Sequence, residues 1–355
     1  MSEQISQNST TGSKLSVLRQ VRKRTLVQLI VGAAILLWLM QLANIRETFS
    51  AILQVNILNV AGAAICFILS STLVALALYV PLQETNPKVS IRHIVMASFG
   101  GQLLSDVTPA RSGYFVTPIF VNRLAGIPVE QGMAAVLATG GINAFLKAVI
   151  CTVGLGYFIS FLPLPSAVIN SLLVGIGILL IGGTVLLLSM WEQRMSKLVV
   201  KLEKLPLVGS KLRSFTEMFA NVQKEGQKVR RSLTIVALLI FSSLAVNAFA
   251  LYAIFLGLGF SSLSLLDFFL MASFASALTY VPITIAGLGV QETGYVILLS
   301  LLLGLPLTAI EPKLLAFALI TRILFTGTDI IGISPLIKVG INPENSPISQ
   351  DKPKS

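Results

Sequence analysis

The chain has 355 residues, 54% of them hydrophobic and only 12% charged, with a mean hydropathy of +0.85. That balance excludes an ordinary soluble globular domain and places the chain among polytopic membrane proteins. The formal net charge of +11 would point to nucleic acid in a soluble protein, but here the basic residues flank apolar runs, as they do in cytoplasmic loops of membrane proteins, so no nucleic-acid partner is expected.

Residues 1–24 form a polar tail ending in a basic stretch, Arg19, Arg22, Lys23 and Arg24, expected to be cytoplasmic. No convincing small-residue cleavage site follows the first apolar run, so it reads as an uncleaved span. Thr25 to Ala43 and Ile57 to Val80 are each expected to cross about 30 Å of hydrocarbon as helix. Gly132 to Ser160 and Ala167 to Met190 form the next pair, joined by the Leu162-Pro163-Leu164-Pro165 turn. Ser232 to Gly257 and Lys313 to Leu336 bring the expected full crossings to six.

Two further segments, Ile94 to Pro128 and Asp267 to Pro306, hold shorter apolar pieces interrupted by helix breakers. The first carries Thr108-Pro109-Ala110-Arg111-Ser112-Gly113, and the second carries Pro282, then Gly287-Leu288-Gly289 and Glu292. Breakers and charges are both costly in hydrocarbon unless they face protein or a polar cavity. Each segment is therefore expected to be a broken or re-entrant helical hairpin, and either form adds an even number of crossings.

Between the halves, 191–231 carries ten lysines and arginines against four glutamates, which makes this loop cytoplasmic by the positive-inside rule. Leu212, Phe215, Phe219 and Val222 share one helical face there, so the loop holds either an amphipathic helix that attracts anionic headgroups or a solvated connector. The tail at 338–355, rich in Pro, Ser and Lys, is expected to be cytoplasmic and disordered. The plan is thus a first membrane half over 25–190, the basic loop, and a second half over 232–337, with both termini inside.

Met96-Ala97-Ser98-Phe99 recurs as Met271-Ala272-Ser273-Phe274, and Gly126-Ile127-Pro128 as Gly304-Leu305-Pro306. Counting crossings, the first hairpin enters from the cytoplasmic side and the second from outside. The expected fold is therefore an all-α membrane bundle with inverted-repeat architecture and a site between the broken helices.

A site can be assembled from these breaks. A half-helix starting beyond Gly287-Leu288-Gly289 points its amides and positive dipole end inward. Arg322, Thr326 and Asp329 share a face of the last span, and Arg322 needs a carboxylate partner, either Glu292 or Asp329. Asp106 and Arg111 flank Pro109, while Asn143 and Lys147 lie one turn apart on the third span. The alternative is an interhelical ion pair that only fixes packing. The candidate substrate-binding set is Asp106, Thr108, Pro109, Arg111, Gly113, Lys147, Pro282, Gly287, Gly289, Glu292, Arg322 and Asp329.

Catalytic and cofactor signals are missing. One histidine and two cysteines, both inside apolar runs, provide no zinc or haem ligand set, and Gly287-Leu288-Gly289 lacks the Lys-Ser/Thr of a phosphate loop. No cofactor, metal site or enzymatic activity is expected.

Through Thr108–Gly113, Pro282 to Glu292, Gly304 and Arg322, the chain resembles the flippase-like membrane family related to the transmembrane region of lysylphosphatidylglycerol synthases, from about the first span to Gly332. It departs in having Tyr114 after the first-half glycine, where family members often carry an acid. It also has Thr139-Gly140-Gly141 where they carry an arginine. No aminoacyl-transferase domain follows Pro335, so lysyl transfer is not implied. The resemblance implies a protein of the inner (plasma) membrane that moves an anionic phospholipid or lipid-linked headgroup between leaflets. Arg111, Lys147 and Arg322 would attract phosphate, and Glu292 and Asp329 would set the arginine's geometry or couple protons. The rival readings are a non-transporting accessory of a lipid-modifying or envelope-synthesis enzyme, and a membrane-embedded transferase.

Overall fold

The computed structural model describes residues 26–162, 164–192, 209–280, 284–306, 310–334 and 336–337. The tails at 1–24 and 338–355 lie outside them, as do Pro163 and Pro282. Among the described residues every regular element is helical, as the apolar composition requires: inside hydrocarbon a helix satisfies all its own backbone groups.

The described residues begin with α1 (Leu26–Leu42), which turns by 88° into α2 (Ile45–Gln54). Asn44 makes the corner in a left-handed conformation, φ 59°, and its side-chain amide donates to Glu47 at 2.8 Å. Over the described residues, from Leu26 on, the first expected span is counted as a crossing by taking the bent pair together. Asn56 then caps α3 (Ile57–Thr85) by accepting the Leu58 amide at 2.9 Å.

The first hairpin is α4 (Ile91–Ser105) and α5 (Thr117–Ala125), joined by the break and a 3-10 turn at Ser112–Val116. Gly126, left-handed at φ 69°, ends α5, and Pro128 opens α6 (Val129–Phe161). Then follow α7 (Ser166–Trp191), α8 (Gly209–Val229) and α9 (Leu233–Gly257), the last two linked by a 3-10 turn at Arg230–Ser232. The second hairpin is α10 (Leu265–Leu278) and α11 (Val290–Leu302). Ser264 and Asp267 close a capping box at the start of α10. The last element is α12 (Pro312–Asp329), extended by a 3-10 turn at Ile330–Gly332.

Among the described residues five helices are long and apolar enough to cross a membrane, or six with the bent pair α1–α2. α10 and α11 are apolar but too short to do so alone, as expected for a broken hairpin. The bundle is held by close backbone approach at small polar residues. α3 lies along α9, and Ser70 and Ser243 exchange hydrogen bonds to each other's carbonyls at 3.0 Å, with their hydroxyls 2.9 Å apart. Such interhelical bonds contribute about 0.6 kcal/mol each in membrane proteins, so their part is registration more than energy. The aromatic core around Phe255, Phe268, Phe274 and Phe317 packs α9, α10 and α12 together. Leu37, Ile65, Ile181 and Leu238 stay exposed on outward faces, where lipid carries no hydrophobic penalty.

The expected amphipathic helix in the basic loop is α8. The side chains of Leu212 and Phe215 lie outside the described residues, whereas Val222 and Val229 are buried against Met190, Ala134 and Ala138. Its described apolar face therefore packs on α6 and α7, and Gln223 bonds the carbonyls of Ser189 and Glu192 at 3.1 Å.

Candidate functional site

Each hairpin break turns on left-handed residues, and a side-chain oxygen replaces a missing helical bond in each, the Thr108 hydroxyl in the first and the Glu292 carboxylate in the second. In the first, Ala110 (φ 50°) and Arg111 (φ 55°) turn the chain. The Thr108 hydroxyl accepts the Gly113 amide at 2.7 Å and donates to the Leu104 carbonyl at 3.0 Å, while Ser105 donates to the Arg111 carbonyl at 3.1 Å. A Cβ on Gly113 would overlap the Leu104 carbonyl, so only glycine lets the break fold back on the end of α4.

In the second break, Ala286 (φ 46°), Gly287 (φ 73°) and Gly289 (φ 79°) are left-handed, and α11 starts at once. Glu292, 1% exposed, accepts the Gly289 amide at 2.7 Å with Oε2 and the Arg322 guanidinium with Oε1. Arg322 also donates to the Ala286 carbonyl at 3.3 Å. The structure thus picks Glu292 over Asp329 as the partner of Arg322. It also narrows the expectation of a free helix end, since one amide at the start of α11 is already held by the helix's own carboxylate. Arg322 Nη2 keeps no partner among the described residues.

The two breaks meet. Pro109 and Ile285 form an antiparallel backbone bridge, and the Ala286 amide donates to the Thr108 carbonyl at 3.3 Å. The paired loops share a pattern that sequence reading missed, Thr108-x-Ala110-x-x-Gly113 against Thr284-x-Ala286-x-x-Gly289. The repeat was legible only in the flanking Met-Ala-Ser-Phe and Gly-x-Pro copies, because the threonine of the second loop follows a proline rather than preceding one.

Beside this junction lies a cavity of about 340 Å³, lined by polar groups from both hairpins and by apolar side chains such as Leu179, Leu186 and Ile240. It gathers Asp106, Arg111, Lys147 and Asp329 of the expected site residues, together with Asn143. Glu292 and Arg322 are outside its lining and hold the second break, although Gln291 and Tyr295 of α11 reach it. Thr108, Pro109, Gly113, Gly287 and Gly289 shape the loops without lining the cavity, and Pro282 is outside the described residues.

Arg111 Nη2 lies 3.3 Å from Asp106 Oδ1, and its guanidinium sits 5.1 Å from the Phe325 ring centre. Lys147, 8% exposed, holds its ammonium 5.7 Å from the Tyr280 ring centre, and among the described residues no carboxylate pairs with it. A buried ammonium without a counter-ion is costly, and an aromatic face offsets only a small part of that cost. Asp329 lies against Asp106 and Ser71. The tyrosines Tyr114, Tyr280 and Tyr295 also line the space; Tyr114 stood out in the sequence as a departure from the resemblance, whereas Tyr280 and Tyr295 carried no signal there.

The two departures from the family pattern touch each other: the Tyr114 hydroxyl is 3.4 Å from the Thr139 hydroxyl. A neutral contact stands here where the resemblance places an acid and an arginine. Local charge is thereby removed without leaving either group unpaired.

The model of the family described as Lysylphosphatidylglycerol synthase TM region matches residues 25–328, which spans both breaks and nearly every residue of the cavity. No curated protein matches the chain.

Proposed function

The chain belongs to the lysylphosphatidylglycerol synthase TM region family, and on that premise we propose that it binds the phosphate-bearing headgroup of an anionic phospholipid or lipid-linked substrate in the cavity and carries it between leaflets. Family and fold make it a multi-pass membrane protein related to lipid modification or transport. The observation that carries the finer reading is Lys147, a buried cation without a carboxylate partner, beside Arg111 in a cavity lined by both polar and apolar groups. An ammonium and a guanidinium with free donors recognise phosphate, and the apolar wall accepts the first part of an acyl chain. The volume falls in the range of small-molecule pockets, enough for a headgroup but not a whole lipid, so the tails remain in the bilayer.

In this reading the protein acts without an enzymatic step or cofactor in the inner (plasma) membrane, with both termini and the 191–231 loop cytoplasmic. The excess of lysine and arginine in that loop supports the orientation. The matched loops around Thr108 and Thr284 support an inverted repeat whose halves meet at the site. A second reading, a non-transporting accessory of a lipid-modifying or envelope-synthesis enzyme, draws on Glu292 and Arg322, which satisfy each other and a helix break and so act as structural glue.

Binding is tested by mass spectrometry of lipid retained on the purified protein. Enrichment of anionic over zwitterionic phospholipid relative to the source membrane is expected. No enrichment in the wild type, or the same enrichment in Lys147→Met, contradicts this assignment.

A further inference from the structure

Asp106 comes from the first break and Asp329 from the end of α12, and their carboxyl groups face each other in the interior. Asp329 is 1% exposed, and the Asp106 side chain 2%. Among the described residues neither oxygen of Asp329 makes a well-formed hydrogen bond, the neighbouring donor being the Ser71 hydroxyl, and Asp106 Oδ2 makes none either. Among the described residues one ion pair serves the two acids, Arg111 to Asp106 Oδ1. Two ionised carboxylates in contact with three orphaned oxygens are an arrangement that a protein interior does not hold without something between them.

We propose that Asp106 and Asp329 share one bound proton, and that this proton sets the charge of the cavity and so its capacity for an anionic headgroup. The proton comes from bulk water by way of the cavity and forms an O–H on one carboxyl that donates to the other, and no other bond changes. Facing the pair are Arg111 on the same loop and the Ser71 hydroxyl on α3; the cavity adds Lys147 and the phenols Tyr114, Tyr280 and Tyr295. Glu292 and Arg322 cancel each other outside the lining. With both aspartates ionised, they cancel Arg111 and Lys147, and an anion finds no net attraction. With one proton bound, the cavity carries a single positive charge, the complement of a phosphodiester.

The docking that creates this pair is specific. The 3-10 turn at Ile330–Gly332 packs on α4 so closely that a Cβ on Gly332 would overlap the Phe99 carbonyl, and this brings Asp329 to the end of α4. The proton site stands on that geometry alone, whereas its coupling to lipid rests on the proposed function.

Infrared spectra of the full-length protein, in a detergent without ester carbonyls and titrated from mildly acidic to alkaline pH, test the site. The wild type should show the carbonyl stretch of a protonated carboxylic acid at neutral pH, vanishing on alkalinisation and absent in both Asp106→Asn and Asp329→Asn. No such band in the wild type, or a band that both substitutions leave unchanged, overturns the proposal. So does a sodium-dependent rise in melting temperature without the band, which assigns the site to a metal cation. Calorimetric titration with a short-chain anionic phospholipid then tests the coupling. Affinity should fall by about tenfold per pH unit above the point where the band is lost, the limit for one linked proton, and this slope should vanish in Asp329→Asn. A band without any lipid binding keeps the proton site and overturns the lipid reading.

Discussion

The carbonyl of Thr108 accepts the backbone amide of Ala286 at 3.3 Å, which fastens two helix breaks that lie far apart in the chain. Backbone pairing inside an apolar bundle is possible only where both strands are surrounded by protein, and here the contact lies beside the cavity, which the next residues of the first loop, Ala110 and Arg111, help to line. The first break is therefore a component of the site, and the second buttresses it from behind.

Gly289 tests the tightness of that junction. At φ 79°, with the place of a Cβ 2.8 Å from the Gly32 carbonyl oxygen and 2.8 Å from Ile35 Cβ, any side chain is strained and also pushes α1 away. Gly289→Ala should lower stability by about 1–3 kcal/mol from the backbone conformation alone, read as a reduced melting temperature in detergent. An unchanged melting temperature would mean that α1 does not pack on the second break.

Glu292 and Arg322 form an ion pair whose carboxylate is buried. Removing one partner leaves a buried charge, at a cost of about 3–5 kcal/mol. Glu292→Gln and Arg322→Ala should each destabilise strongly, and the double variant should lose less than the sum of the two. Additive losses in a thermal-melt double-mutant cycle would show that the contact is not energetically coupled.

Lys147 should behave in the opposite way. Its ammonium lacks a carboxylate partner among the described residues, so Lys147→Met removes a buried charge, keeps the length of the side chain, and should hold or raise the melting temperature while weakening retention of anionic lipid. A large loss of stability would mark Lys147 as a packing residue.

Much of this was legible because lipid is a strict solvent. The helices Ile57–Thr85, Val129–Phe161 and Ser166–Trp191 follow from unbroken apolar runs, and the breaks from Pro109, Gly113, Gly287 and Gly289. Pairing of Arg322 was anticipated because a membrane arginine demands a carboxylate. The corner at Asn44 was not legible, since hydropathy is nearly blind to a single left-handed residue between apolar runs. Nor was the company of Asp329: its spacing from Arg322 placed both on one face, but its partner depends on how the turn after α12 docks on α4. Tertiary contacts of that kind leave no local trace.

Topology gives an independent check on the halves. Single cysteines introduced at Ser261 and Gly209, in a background without Cys66 and Cys151, should react with a membrane-impermeant maleimide from outside and from inside respectively. The reverse pattern would overturn the proposed orientation, and labelling of both from one side would overturn the number of crossings between them.

The most direct test of the central claim is headgroup accessibility in liposomes containing the purified protein. Labelled anionic phospholipid should move between leaflets faster than in protein-free vesicles, faster than a zwitterionic analogue, and much more slowly with Lys147→Met. Movement no faster than in protein-free vesicles across several anionic lipids, or equal rates with and without Lys147, would contradict the account.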